Sequence, residues 1–151
     1  MIRDMAESDA GDLVLLLYDA YQEIAYSRSG GGEFNPPDVY DALIAAYSNL
    51  NQHSYVYEID GKIEGFVSFL MVRPVFNRSI KRAVEVAWHS SPKLKKFTRT
   101  RIMIELLNHV FDQFRGVCDS YLISVQKDND IGKFLERHGA KLVEYNYILE
   151  V

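Results

Sequence analysis

The stretch Tyr55-Val56-Tyr57-Glu58-Ile59, Asp60-Gly61, Lys62-Ile63-Glu64-Gly65-Phe66-Val67-Ser68-Phe69-Leu70 constrains the fold more than any other part of the chain. Strand-forming residues flank a two-residue Asp-Gly turn, the strongest short-range signal for an antiparallel hairpin, because a type I′ turn needs positive φ at both central positions. Such a hairpin is marginal in water by itself. It must be extended by further strands or covered by helices.

The remaining chain supplies both. A short strand is expected at 2–5, then a helix capped by Ser8 or Asp9 with Leu13, Leu16, Leu17, Ala20 and Ile24 at helical spacing. Ser29-Gly30-Gly31-Gly32 breaks it. Asn35, Pro36 and Asp38 supply an N-cap, a first-turn proline and an N-terminal acid for a second helix with Val39, Leu43, Ala46, Tyr47 and Leu50 inward. Residues 83–89 read as a third antiparallel strand. A loop at 90–96 precedes a helix carrying Ile102, Met103, Leu106, Leu107, Val110, Phe111 and Phe114, ending near Arg115-Gly116. Residues 121–125 read as a buried strand, Asn129 or Asp130 caps a short helix ending at Gly139, and a last strand spans 141–149. The resulting order, β-α-α-β-β-β-α-β-α-β, predicts an α/β fold of mixed α+β type. Its sheet is mostly antiparallel, with helices on both faces.

At 151 residues and 48% hydrophobic content the chain suits one domain over 1–151. No apolar run reaches the roughly 18 residues of a bilayer span, and the start lacks the basic and apolar regions of a signal peptide. A cytoplasmic location without membrane partners is expected. Cys118 is the sole cysteine, its default a buried inert thiol. No Cys/His spacing or acidic cluster suggests a metal. Net charge is −4, yet residues 73–101 hold nine basic side chains and one acid, a local +8 against −12 elsewhere. The middle of the chain is therefore expected to meet an anion. Nucleic acid is disfavoured as that anion, because no recognition-helix or RNA-binding motif accompanies the charge.

The element order, with Asp60-Gly61-Lys62-Ile63-Glu64-Gly65-Phe66-Val67, Asp128-Asn129-Asp130-Ile131-Gly132-Lys133-Phe134 and Leu135-Glu136-Arg137-His138-Gly139-Ala140, resembles the GCN5-related N-acetyltransferase (GNAT) family over nearly the whole chain. Glu23, Tyr26 and Phe34-Asn35 resemble short phage and bacterial members. The resemblance implies a GNAT-like acyl-CoA N-acyltransferase fold with two splayed strands, acetyl-CoA as cosubstrate, no metal, and an unidentified amine acceptor.

It further implies that pantetheine adds main-chain hydrogen bonds to the strand carrying Val86, Ala87 and Trp88, while the diphosphate meets free N–H groups at the next helix start. The family's loop motif, Q/R-x-x-G-x-G/A, falls on 98–103, where this chain has no glycine. Lys93, Lys95, Lys96, Arg99 and Arg101 offer cations there instead, and Thr98 and Thr100 offer hydroxyls, either to phosphate or as helix caps. Asn129 falls near the family's pantetheine-binding asparagine, though the spacing to Gly139 fits Asp128 equally well and a helix N-cap is the favoured explanation for either. The family's tyrosine acid falls on Leu135, which cannot donate a proton. Trp88 in its side chain, Phe111, Phe114 and Tyr121 read as core.

Acyl transfer to an ammonium needs a base. Glu85 and His89 lie four apart on one strand and are expected to share a face, with the basic field keeping Glu85 ionised. Glu85 is the first choice, against the alternative of a solvated carboxylate paired with a nearby cation. Tyr145 and Tyr147 are candidate substitute acids, with a core or surface role the favoured alternative among 10 tyrosines, and Glu23 and Tyr26 are candidates to select the acceptor, against a solvated helix face. The competing reading is a catalytically reduced GNAT fold that binds a protein or nucleotide. A homodimer through the edge of the last strand stays open.

Overall fold

The computed structural model describes residues 1–23, 32–125 and 131–143. Within them the chain runs β1 (Ile2–Asp4), a 3₁₀ turn (Glu7–Asp9), α1 (Ala10–Glu23), α2 (Pro36–Ser48), β2 (Gln52–Ile59), β3 (Lys62–Val72), β4 (Arg82–Ser90), α3 (Lys96–Gln113), β5 (Ser120–Leu122) and α4 (Ile131–Arg137). The sheet has the order β1-β2-β3-β4-β5. Its first three pairings are antiparallel and β4 pairs with β5 in parallel. The expected mixed sheet is present, built around the expected hairpin. Asp60 (φ 50°) and Gly61 (φ 77°) make its two-residue turn.

One face of the sheet presents Tyr55, Val67, Phe69, Ala83 and Trp88 to Ile102, Leu106, Leu107, Val110 and Phe114 of α3 and Ile131 and Leu135 of α4. The other presents Val56, Ile63 and Phe66 to Leu13 and Leu16 of α1 and Leu43 of α2. Helices thus cover both faces. At the β1–α1 corner, Arg3 Nη1 and Nη2 donate to Asp9 Oδ2 and Oδ1 at 2.7 and 3.0 Å, Arg3 Nε donates to Glu58 at 3.0 Å, and the Ala6 N–H donates to Asp9 at 2.7 Å. The guanidinium holds the Asp9 carboxyl below its usual range.

Four local expectations change, the first being that Tyr47 and Leu50, expected inward, are exposed, Leu50 lying past the end of α2. Asn35 occupies the N-cap of α2, but its side chain makes no cap bond. Pro37, at the second helical position, carries no N–H, so one of the two donors a cap usually satisfies is missing. The strand expected at 121–125 is shorter, ending at Leu122. Residues 141–143, expected to begin the last strand, are not in strand conformation, and 144–149 lie outside the described residues. So do Tyr26, Asp128, Asn129, Asp130, Tyr145 and Tyr147.

Gly65 fixes how deeply α3 lies on the sheet. A Cβ there would stand 2.5 Å from Ile102 Cγ2 and 3.1 Å from both Leu106 Cδ1 and Tyr57 Cβ. Ile102 and Leu106 are fully buried, so neither can yield without disturbing its neighbours. Gly65→Ala should therefore destabilise the fold by about 1–3 kcal/mol in chemical denaturation, the usual cost of overpacking. The same change should cost less in an Ile102→Ala background, and equal costs in the two backgrounds would refute the clash.

Candidate active site

The last strand pair joins at one end only. Arg82, Ala83 and Val84 pair with Ser120, Tyr121 and Leu122, and the pairing stops there. Its closed end is anchored by a reciprocal bridge, in which the Lys81 N–H donates to Asp119 Oδ2 at 2.7 Å and the Asp119 N–H donates to the Lys81 carbonyl at 2.7 Å. Arg82 Nε adds a bond to Ser120 Oγ at 3.1 Å. Beyond Val84 the strands diverge. Along residues 85–90, the edge of β4 turned away from β3 has no strand partner among the described residues.

A bulge in β4 coincides with this opening. Phe69 pairs with Glu85 and Ser68 with Ala87, so Val86 is the extra residue. It is 54% exposed in the middle of a strand. The bulge reverses the alternation on its two sides, which corrects the expectation that Glu85 and His89 share a face. Glu85 stands opposite Phe69, on the side covered by α3 and α4. His89 stands opposite Phe66, on the side covered by α1 and α2. Spacing of four implies a shared face only when every residue of the strand pairs.

Glu85 sits where the gap begins, and its Oε2 accepts the Ser124 N–H at 3.3 Å. Burial pushes its carboxyl above the ordinary range and the Ser124 bond pulls it back in part. The basic segment therefore does not dominate its titration as expected. Burial moves the His89 imidazole the other way, below its usual value. Trp88 is buried and its Nε1 donates to the Met103 carbonyl at 3.0 Å, tying β4 to α3. Its side chain is core, as the sequence suggests. Ala87 packs toward α1 and α2.

Across the gap, α3 starts at Lys96, one turn earlier than the loop motif implies, with Lys95 at its N-cap. Lys95 forms no side-chain cap, so amides of the first turn point out of the helix unsatisfied by a capping side chain. Thr98 is half-buried in that turn. Thr100 is no cap either, because its hydroxyl donates back to the Lys96 carbonyl at 3.1 Å. Phe97, beside the start, is 80% exposed.

The expected cations do not form one patch. Lys93 pairs with Asp19 at 2.5 Å, and Arg99 forms a bidentate pair with Glu23 at 2.6 and 3.3 Å, so both turn toward α1. Arg101 turns the other way. Its Nε lies 3.6 Å from Glu105, whose other oxygen accepts the Tyr57 hydroxyl at 2.7 Å, and it lines a hollow with Met1, Tyr57, Glu58, Ile59, Asp60 and Gly61. Sequence reasoning gave no sign of the Lys93–Asp19 and Arg99–Glu23 pairings, since those partners lie far away in the chain. Leu135 is buried at 6% exposure in the α3–α4 core. Cys118 is half-buried rather than buried.

Glu85 and His89 make opposite demands on stability. With its folded pKa lowered, His89 takes up its proton more readily when unfolded, so stability falls as pH drops below 6.5 until its folded value is passed. A raised Glu85 binds its proton more readily when folded, so stability rises as pH falls from its folded value toward 4.5. Subtracting the stability curve of His89→Gln or Glu85→Gln from that of the parent should give slopes of opposite sign in these windows. Equal slopes would refute the burial of one of the two groups.

No family model matches the chain, and no curated protein matches it. Solved structures do. A transcriptional regulator from Bacillus halodurans superposes with a TM-score of 0.78 at 16% identity, covering 100% of this chain and 99% of that one. A probable acetyltransferase gives 0.74 at 16% identity, covering 100% and 97%. A predicted acetyltransferase with acetyl-CoA from Clostridium acetobutylicum gives 0.73 at 11% identity, covering 99% and 95%. The acetyltransferase fold expected from the GNAT resemblance is the fold of this chain.

Proposed function

We propose that the chain is an acetyl-CoA-dependent N-acetyltransferase acting by direct transfer to an amine. The single observation that carries this reading is the gap between β4 and β5 facing the uncapped start of α3, in a fold shared with an acetyltransferase whose structure includes acetyl-CoA. Pantetheine is an amide chain and can add hydrogen bonds to the free edge of Val86, Ala87 and Trp88 as an extra strand would. The bulge at Val86 re-aims that edge. The diphosphate would meet the first-turn amides of α3, with Lys95, Lys96, Thr98 and Arg99 around it. Glycine-poor residues 98–103 keep the backbone less approachable, so side-chain charge takes a larger share of the binding. Arg101 and Thr100 play a smaller part, engaged as they are with Glu105 and the Lys96 carbonyl. Asn129 and Tyr26 keep the roles the resemblance gives them, to pantetheine and acceptor.

Glu85 is the base in this reading. It removes one proton from the acceptor ammonium, directly or through water, and the free amine attacks the thioester carbonyl. The C–N bond forms and the C–S bond breaks. The second nitrogen proton passes to the departing thiolate, giving the amide and CoA. The raised carboxyl of Glu85 is a stronger proton acceptor than an ordinary carboxylate once ionised. His89 lies on the α1–α2 side, where burial disfavours its protonated form and makes it the weaker candidate for taking up a proton.

Leu135 supports a second reading. Its place in the core leaves no proton donor at the family's acid position, as in a binding module that has lost catalysis.

Calorimetry should detect CoA binding. In an acetyl transfer assay over a panel of amines, Glu85→Gln should lower turnover by about 10²–10⁴-fold, the range of general-base catalysis, with CoA affinity little changed. The acid limb of the pH–rate profile should vanish in that variant and persist in His89→Gln. Full turnover in Glu85→Gln would remove it as base. A parent protein that binds CoA and acetylates no amine would favour the module.

A further inference from the structure

The connection from β3 to β4, residues 73–81, is held in shape by its own polar groups. The Asn77 N–H donates to the Pro74 carbonyl at 3.1 Å and closes a turn with Val75 and Phe76 at its centre. In a second turn the Ile80 N–H donates to the Asn77 carbonyl at 3.3 Å, and the Ser79 N–H and hydroxyl donate to Asn77 Oδ1 at 3.1 and 2.6 Å. Arg73 Nη1 reaches across to the Arg78 carbonyl at 2.9 Å. None of these bonds covers the two apolar residues. Val75 is 80% exposed and Phe76 wholly exposed.

Four cations accompany them, Arg73, Arg78, Lys81 and Arg82, and no acid occurs from Arg73 to Val84. The loop is thus +4 against −8 in the rest of the chain. Among the described residues none of the four forms an ion pair. Asp119 bonds the Lys81 main chain, not its ammonium. Depth along the loop is ordered as well. Val72 and Arg82 form the last rung of the β3–β4 ladder, so Arg73, Lys81 and Arg82 stand at the base of the loop and Val75 and Phe76 at its outer turn.

We propose that this loop docks the protein on an anionic bilayer surface, with Val75 and Phe76 entering the acyl boundary and the four cations at the level of the lipid phosphates. The order of layers selects this partner. A bilayer has its apolar layer behind its phosphates, so a docking element must carry its apolar groups ahead of its cations. A nucleic-acid duplex has no such layer for a turn to enter, and a protein would need a fitted pocket for Phe76. No helix of the described residues is long and apolar enough to cross a membrane, so the contact is peripheral. The expectation of no membrane partner rests on that missing span and does not extend to a loop tip. β4 runs from Arg82 to Ser90, so the start of α3 lies about 25 Å from the docked loop at ~3.3 Å per strand residue. The gap beyond Val84 therefore opens away from the bilayer, and docking is independent of the acyl-CoA reading.

The test is co-sedimentation of the full chain with vesicles of equal parts phosphatidylcholine and phosphatidylserine, and with vesicles of phosphatidylcholine alone. The parent protein should sediment with the mixed vesicles only, and less as salt rises. Phe76→Ser should lower partition by about tenfold, and Arg78→Gln by about fivefold, the share of one basic residue near an anionic surface. Both side chains are exposed, so circular dichroism should show the fold unchanged. Phe76→Trp adds a reporter, because the sole native tryptophan, Trp88, is buried. Its emission should shift to the blue on the mixed vesicles. Unshifted emission, or Phe76→Ser partitioning like the parent, would overturn insertion. Failure to sediment with the mixed vesicles would overturn docking altogether, and binding of a uridylate oligomer or polyglutamate in their stead would assign the loop to nucleic acid or to an acidic protein.

Discussion

The depth at which α3 lies on the sheet governs the rest of the molecule. Gly65 permits that depth by leaving Ile102 and Leu106 the space a side chain would fill. Once α3 is seated, Leu106, Leu107 and Val110 close the core beneath it, and the Trp88 indole reaches the Met103 carbonyl. This last bond joins the open half of β4 to the same helix. The start of α3 is thereby held beside the gap that β4 leaves when it parts from β5. The gap needs no separate device beyond the Lys81–Asp119 bridge, which fastens its closed end.

The hairpin and the buried stripe of α3 were legible because each is a local pattern. Asp60-Gly61 can satisfy a type I′ turn, and Ile102, Leu106, Leu107 and Val110 can face one way only on a helix. The bulge at Val86 was not legible. Residues 83–89 alternate well enough to suggest an unbroken strand, and only the placement of an exposed valine between Glu85 and Ala87 betrays the extra residue. One uncounted residue moves His89 to the other side of the sheet from Glu85. Distance along the chain therefore misjudged the geometry of the two site residues while judging the fold correctly.

Charge was misjudged for a related reason. A local +8 over residues 73–101 suggests a basic face, but the fold disperses it. Arg73 bonds the Arg78 carbonyl, Arg82 reaches β5, Lys93 and Arg99 turn to α1, and Arg101 turns to Glu105. Except for Glu105, four residues after Arg101, the compensating acids lie far off in sequence, and no short window along the chain contains both partners of the Arg99–Glu23 pair. The residues that stay near the gap are fewer than the count implies, which makes each one more consequential for an anionic ligand.

The separation of Glu85 from His89 has a chemical consequence for any reaction in the gap. A ligand chain lying along the open edge of β4 would pass between the two faces, with Glu85 on one side and His89 on the other. Burial biases them in opposite directions, raising the carboxyl and lowering the imidazole. The carboxylate and the imidazole thus stand on opposite sides of one strand. Glu85 lies where the two strands part, its Oε2 accepting the Ser124 N–H across the opening. His89 lies four residues farther along the open edge, opposite Phe66, on the side where α1 brings Asp19 and Glu23. The same bulge that upset the sequence reading thus places the carboxylate on a face that α3 closes and the imidazole on a face that α1 furnishes with charge.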